Sequence, residues 1–118
     1  VHIKDFKEDD SYGYAIATNE ACDIRPREFD VDINKHTKLR RLLETVAHEM
    51  VHVKQFARGE LYQSSVTAKH RWQGNWQRGE KHYYDLPWEI EAHGREIGLF
   101  VRWAETNGHA SKAWTQED

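Results

Sequence analysis

The stretch TKLRRLLETVAHEMVHVKQFARG, residues 37–59, decides how the chain is organised. Leu39, Leu42, Leu43, Val46, Met50, Val53 and Ala57 recur at helical spacing, with Thr37 a natural N-cap and Gly59 a stop. Inside this predicted helix lies His48-Glu49-Met50-Val51-His52, an HExxH pattern. Two imidazoles four positions apart rise on one side of a helix, about 40° apart in projection. That spacing lets both grip one metal ion. It also sets Glu49 beside them, where a carboxylate can take a proton from a metal-bound water. Both histidines project opposite the apolar stripe, so they are expected to face away from the main core rather than to serve as core residues.

Upstream of this helix the pattern is that of strands. Val1 to Phe6 and Tyr14 to Thr18 are candidates, and Glu28 to Ile33 is the clearest. There Phe29, Val31 and Ile33 alternate with Asp30 and Asp32, the period of a half-buried strand. Pro26 suits the entry to that strand or an edge position. Downstream, residues 60–84 read as an irregular hairpin or long loop, with Gly74, Gly79, Trp72 and Trp76 among basic residues. Pro87 opens a second predicted helix that runs to about Thr106, with Ile90, Ile97, Val101 and Ala104 on one stripe and Asn107-Gly108 as its end. The tail from His109 to Asp118 reads as a frayed or loosely docked end. The expected class is α+β in one domain: an N-terminal sheet of three to four strands on the HExxH helix, with the second helix alongside.

Composition limits the alternatives. At 118 residues, 31% charged and 38% hydrophobic with five Trp and five Tyr, the chain suits one soluble domain with a modest core. A formal net charge of −3 gives no strong case for nucleic acid or an anionic membrane as partner. The basic run Lys69 to His82 reads as a solvated loop. Cys22 is the single cysteine, which excludes an intramolecular disulfide and a cysteine-based zinc site, and is compatible with a reducing compartment. No apolar stretch approaches the ~20 residues of a membrane span. The chain begins at Val1 rather than Met, which leaves room for a removed leader and leaves location open. It is expected to act as a monomer.

A catalytic zinc takes three protein ligands and keeps a fourth position for water. Glu89 and Glu91 near the start of the second helix are the carboxylate candidates for the third ligand. They point about 200° apart, so both cannot serve one ion. Gly94 and Gly98 lie on the side of Glu91 and would let a neighbouring helix approach, whereas His93, Glu96 and Phe100 make the flank of Glu89 bulkier and more polar. Glu91 is therefore favoured. As isolated features, both are ordinary first-turn acids at a helix N-terminus. His70, His82 and His93 are the remaining candidates, His93 being best placed.

An HExxH helix followed by a later helix with glutamate in a Glu-Ala pair resembles the gluzincin group of zinc metallopeptidases. Tyr83 to Ala92 (YYDLPWEIEA), following His48 to His52, is similar to small phage-encoded metallopeptidases and to single-domain minigluzincins. The likeness spans roughly residues 28–106. It implies a zincin-like fold, one Zn2+ held by His48, His52 and Glu91, and Glu49 as general base. It also implies a peptide or protein substrate and, from the phage likeness, the cytoplasm of an infected host. One position departs from the pattern: many gluzincins carry an aspartate four residues after the ligand glutamate to orient a histidine. Here that position is Arg95, followed by Glu96.

The expected activity is zinc-dependent peptide-bond hydrolysis. Zinc would activate water and polarise the carbonyl, and Glu49 would carry the proton to the leaving amine. Tyr83, Tyr84, His82 and His93 are candidate donors to the oxyanion, with Tyr84 slightly preferred. The tail after Gly108 is a candidate restraint over the site. Rival readings are a catalytically idle zincin-fold binding module, an accidental motif on a protein-binding domain with an aromatic surface, and an SprT-like protease acting on proteins bound to nucleic acid.

Overall fold

Alternation along Phe29–Asn34 builds the central strand of the N-terminal sheet. Val31 and Ile33 turn inward and are 3% and 0% exposed, while Asp30 and Asp32 point the other way. The computed structural model describes residues 1–7, 11–18 and 25–116; Cys22 lies outside them. The sheet has three strands, β1 (His2–Lys4), β2 (Gly13–Ala17) and β3 (Phe29–Asn34), in the order β1-β3-β2. β1 runs parallel to β3, and β2 runs antiparallel to it with Gly13 opposite Ile33 and Ala17 opposite Phe29. β2 is therefore an edge strand.

Helix α1 (Leu39–Ala57) packs on this sheet. Gly13 makes the approach possible: a Cβ there would lie 2.8 Å from the Asp32 carbonyl oxygen and 3.0 Å from Thr45 Cγ2 of the helix. The helix starts on Lys38 with no side-chain cap, and Thr37 instead donates its hydroxyl to Asn34 O at 2.9 Å. At the other end Gly59 adopts φ +73°, and the Glu60 N–H reaches back to Gln55 O at 2.9 Å. Glycine suits that left-handed position and ends the helix as predicted.

Residues 61–76 form a second small sheet, β4 (Leu61–Gln63), β5 (His70–Trp72) and β6 (Asn75–Trp76), all antiparallel. Its role is to seat the start of helix α2 (Pro87–Thr106): Trp88, 5% exposed, stacks on His70 at 4.9 Å and meets Trp72 at 6.3 Å. α2 then lies against α1. The architecture is α+β, with an N-terminal sheet and two helices. No helix among the described residues is long and apolar enough to cross a membrane.

Which faces the helices bury differs from the sequence expectation. α1 buries Glu44, Thr45, His48, Glu49, Val51, His52 and Gln55, whereas Leu39 and Met50 of the predicted stripe are 48% and 46% exposed. α2 buries Trp88, Glu89, Ala92, Glu96, Phe100 and Ala104, while Ile90, Ile97 and Val101 are exposed. His48, His52 and Gln55 of α1 and Glu89 and Glu96 of α2 can be interior because they pair across the α1–α2 contact, whereas Glu44 and Thr45 pair within α1. The tail also differs. Its described part closes as a short 3₁₀ turn (Ala113–Gln116) against the helices, with Thr115 buried, Arg40 Nη1 donating to Thr115 O at 2.9 Å and Trp114 6.2 Å from Phe100.

Candidate metal centre

The buried polar face of α1 carries His48, His52 and Gln55 at helical positions i, i+4 and i+7. The facing row on α2 is Glu89, His93 and Glu96, at the same spacing. Their meeting makes the site. His48 Nε2 lies 3.1 Å from Glu89 Oε1, His52 Nε2 lies 3.0 Å from Glu89 Oε2, and the two Nε2 atoms are 3.2 Å apart. All three residues are buried. Ligand atoms around a tetrahedral zinc, at Zn–N and Zn–O distances near 2.0–2.2 Å, stand roughly 3.3 Å apart. The observed spacings fit that requirement.

The far sides of the rings face acceptors. His52 Nδ1 lies 2.8 Å from Gln55 Oε1. His48 Nδ1 is 3.5 Å from Glu96 Oε2, a long contact that leaves the atom without a well-formed hydrogen bond. Glu96 also takes a 2.8 Å bond from His93 Nδ1. With both Nδ1 sides turned to acceptors, both Nε2 atoms converge on a carboxylate. A donor set of that kind needs protons or a cation between its members.

Electrostatics follow from this crowding. Burial pulls the His48 imidazole down, but its contacts with Glu89 and Glu96 and the nearby Glu49 charge outweigh it, and the ring is pushed up to about 9. His52 is raised for the same reasons, with Glu89 and Gln55 overcoming burial. Glu89 moves the opposite way: burial opposes ionisation, and hydrogen bonds from His48, His52 and Tyr83 hold the carboxyl well below its usual range. Burial pushes Glu49 up, only partly countered by the two histidines. Among the described residues no hydrogen bond or ion pair engages the Glu49 carboxylate, and it lines the cleft.

That cleft, about 720 Å³, runs between the edge strand β2 and the two helix faces. Tyr12, Tyr14 and Ile16 line one wall with Arg41 and Thr45, and Tyr83, Tyr84 and His93 line the other. Tyr83, in the short 3₁₀ turn Tyr83–Asp85, donates its hydroxyl to Glu89 Oε1 at 2.6 Å and lies 3.2 Å from His93 Nε2. Burial and the Glu89 charge push this hydroxyl up, so it remains a protonated donor.

The structure places three sequence-predicted features differently from the expectation. Glu91 does not join the histidines. Its carboxylate is held by Lys54 Nζ at 2.9 and 3.0 Å, Gln55 Nε2 at 2.9 Å and Arg95 Nε at 3.1 Å. Burial tends to raise it, but the bonds from Gln55, Lys54 and Arg95 bring it down to about 2. The glycine reasoning failed because Gly94 and Gly98 face open space, with nothing within 4 Å of an added Cβ. Tyr84 lines the cleft but is 63% exposed, and Tyr83 is the tyrosine whose hydroxyl enters the cluster. No described residue beyond Gly108 lines the cleft. His93 lies beside the cluster, 4.4 Å from the His48 ring, in keeping with its being the best placed of the remaining histidines. Gln55 and Glu96 are additional, and the two matching i, i+4, i+7 polar rows are the sequence signal for them. His70 stacks on Trp88 and His82 caps the turn by accepting from the Tyr84 N–H, so neither lies among the ligand candidates.

Comparison of the chain with protein-family models, with curated proteins and with solved structures found no match. The functional reading therefore rests on the residues of the cleft.

Proposed function

We propose that the chain is a zinc-dependent peptidase whose metal is held by His48, His52 and Glu89, with Glu49 as general base. The observation that supports this reading most is the convergence of two Nε2 atoms and one carboxylate within 3.0–3.2 Å in a buried cluster. The donor set of two imidazoles and one carboxylate is that of a catalytic zinc with a position left for water. Bound there, zinc supplies Lewis acidity, polarising a carbonyl oxygen and lowering the pKa of a water toward about 7.

The chain's own groups do the rest. Glu49, without a hydrogen-bond partner among the described residues and raised by burial, accepts a proton from the attacking water at a carboxylate oxygen. It then delivers that proton to the amine nitrogen as the peptide bond breaks. Tyr83 presents a hydroxyl at the cluster, suited to stabilise negative charge growing on the carbonyl oxygen. β2, at one side of the sheet formed by the described residues, borders the cleft, which places an extended peptide bound there beside Glu49.

The test is metal analysis combined with cleavage of an unfolded protein such as casein. One zinc per chain and a cleavage activity lost in Glu49→Gln with zinc retained are expected. Zinc without any cleavage would instead indicate an idle binding module.

A further inference from the structure

We infer that Glu91 is a positioning residue for His52, acting through Gln55 to fix which ring nitrogen faces the metal position. The inference rests on the metal-centre reading above and adds a role for a residue outside the ligand set.

Gln55 is fully buried, at 0% exposure, so each of its polar atoms needs a protein partner. Its Nε2 sits 3.0 Å from the Trp88 carbonyl oxygen and 2.9 Å from Glu91 Oε1. A backbone carbonyl and an ionised carboxylate only accept hydrogen bonds. The amide must therefore turn its NH2 toward α2 and its oxygen toward His52. That oxygen can only accept, so His52 Nδ1, 2.8 Å away, must carry the proton. The lone pair is left on Nε2, the atom that faces Glu89 and His48. A histidine with its proton on Nε2 could not ligate from that position.

Glu91 is what makes the arrangement one-sided. It stands between the Gln55 amide and two cations, Lys54 and Arg95, and accepts from all three, Lys54 sharing its charge between Glu91 and Glu60 at 3.0 Å. Remove its carboxylate and Lys54, a donor with no acceptor function, is left beside the amide. The Gln55 oxygen then gains by turning toward Lys54, which brings the NH2 to His52 and favours the wrong tautomer. The Trp88 carbonyl opposes that flip with one hydrogen bond, and the Glu91 carboxylate adds the second. Because Trp88 directly precedes Glu89, the same amide ties the orientation of His52 to the first turn of α2.

Two substitutions separate this role from alternatives. Glu91→Gln keeps an acceptor oxygen, which Lys54 and Arg95 orient toward the donors, whereas Glu91→Leu removes it. The readouts are the zinc dissociation constant, measured by competition with a chelator, and the His52 tautomer. The tautomer is read from ring 15N shifts in metal-free protein, above the pH at which the imidazole ionises. Wild type and Glu91→Gln should both carry the proton on Nδ1 and bind zinc within about threefold of each other. Glu91→Leu should shift His52 toward the Nε2–H form and weaken zinc by about 10–100-fold, the usual effect of losing an outer partner of a ligand. A Glu91→Leu protein with wild-type tautomer and affinity would overturn the inference. So would a Glu91→Gln protein as impaired as Glu91→Leu, since charge rather than amide orientation would then be responsible. If Glu91→Leu fails to fold, an Nε2–H tautomer of His52 in the wild type still overturns it. Absence of zinc binding by the wild type would defeat the metal reading instead, and the tautomer comparison alone would then decide the relay.

Discussion

His48 Nε2 and His52 Nε2 lie 3.2 Å apart, each also within 3.1 Å of a Glu89 oxygen. Two ring nitrogens and two carboxylate oxygens at that spacing repel unless a proton or cation lies among them. The energetic consequence is that ionisation, metal binding and stability are coupled at one point on the α1–α2 contact.

The first expectation concerns the base. Glu49→Gln keeps size and hydrogen-bonding capacity but cannot take a proton. It should bind zinc normally and lower kcat by about 10²–10⁴-fold, the range for losing a general base. Steady-state kinetics with metal analysis of the same sample decide this. A variant retaining more than a tenth of wild-type kcat would remove Glu49 from the role.

The tyrosines offer a paired test. Tyr83→Phe removes the hydroxyl 2.6 Å from Glu89 and should reduce kcat by about 10²-fold, in the range of a lost oxyanion donor. Tyr84 is 63% exposed, and Tyr84→Phe should stay within about twofold of wild type. The reverse ranking would restore Tyr84 as the donor.

How much of this was legible beforehand depends on what each signal measures. The extents of both helices, the strand at Phe29 and the HExxH pair follow from period, the first-turn Pro87 and the terminal glycines, which are local; the Thr37 cap does not form. The buried faces do not. Apolar periodicity places the core of α1 on the side of Leu39 and Met50, yet the helix buries His48, Glu49, His52 and Gln55. A polar site at a helix–helix contact inverts the amphipathic signal, because His48, His52 and Gln55 find their partners on α2, while Glu49 faces the cleft. Glu89 rather than Glu91 meets the histidines for a related reason. Gly94 and Gly98 were read as marks of close helix approach, and the helix turns them to solvent. The more polar flank of Glu89, with His93 and Glu96 at i+4 and i+7, was the half of an interface whose other half is His48, His52 and Gln55.

Glycine substitutions test this packing directly. Gly94→Ala and Gly98→Ala meet nothing within 4 Å and should stabilise the protein by about 0.5–1 kcal/mol each, the helix-interior advantage of alanine. Gly13→Ala places a Cβ 2.8 Å from Asp32 O and 3.0 Å from Thr45 Cγ2, and should cost about 1–3 kcal/mol. Denaturant midpoints settle both. Destabilisation at 94 or 98 would mean that α2 packs through its glycine side.

The metal-free protein should lose stability as pH rises. His48 ionises near 6.5 when unfolded and near 9 when folded, so its contribution is complete below pH 6.5 and disappears as pH passes through about 9. The loss is on the order of 3 kcal/mol for this group. Glu91, lowered from 4.5 to about 2, acts at the other end: its contribution holds above pH 4.5 and is lost as pH falls through about 2. Urea unfolding should therefore give its highest midpoint between about pH 4.5 and 6.5. A midpoint that rises from pH 6 to pH 9.5 without metal would contradict the assignment of these shifts.

The most direct measurement is a crystal structure of zinc-loaded protein with anomalous data collected on both sides of the zinc absorption edge. The expected result is one ion bonded to His48 Nε2, His52 Nε2 and a Glu89 oxygen at about 2.0–2.2 Å, with Glu91 still bound to Lys54 and Gln55. An ion ligated by Glu91, or no anomalous peak between the two histidines, would contradict the account.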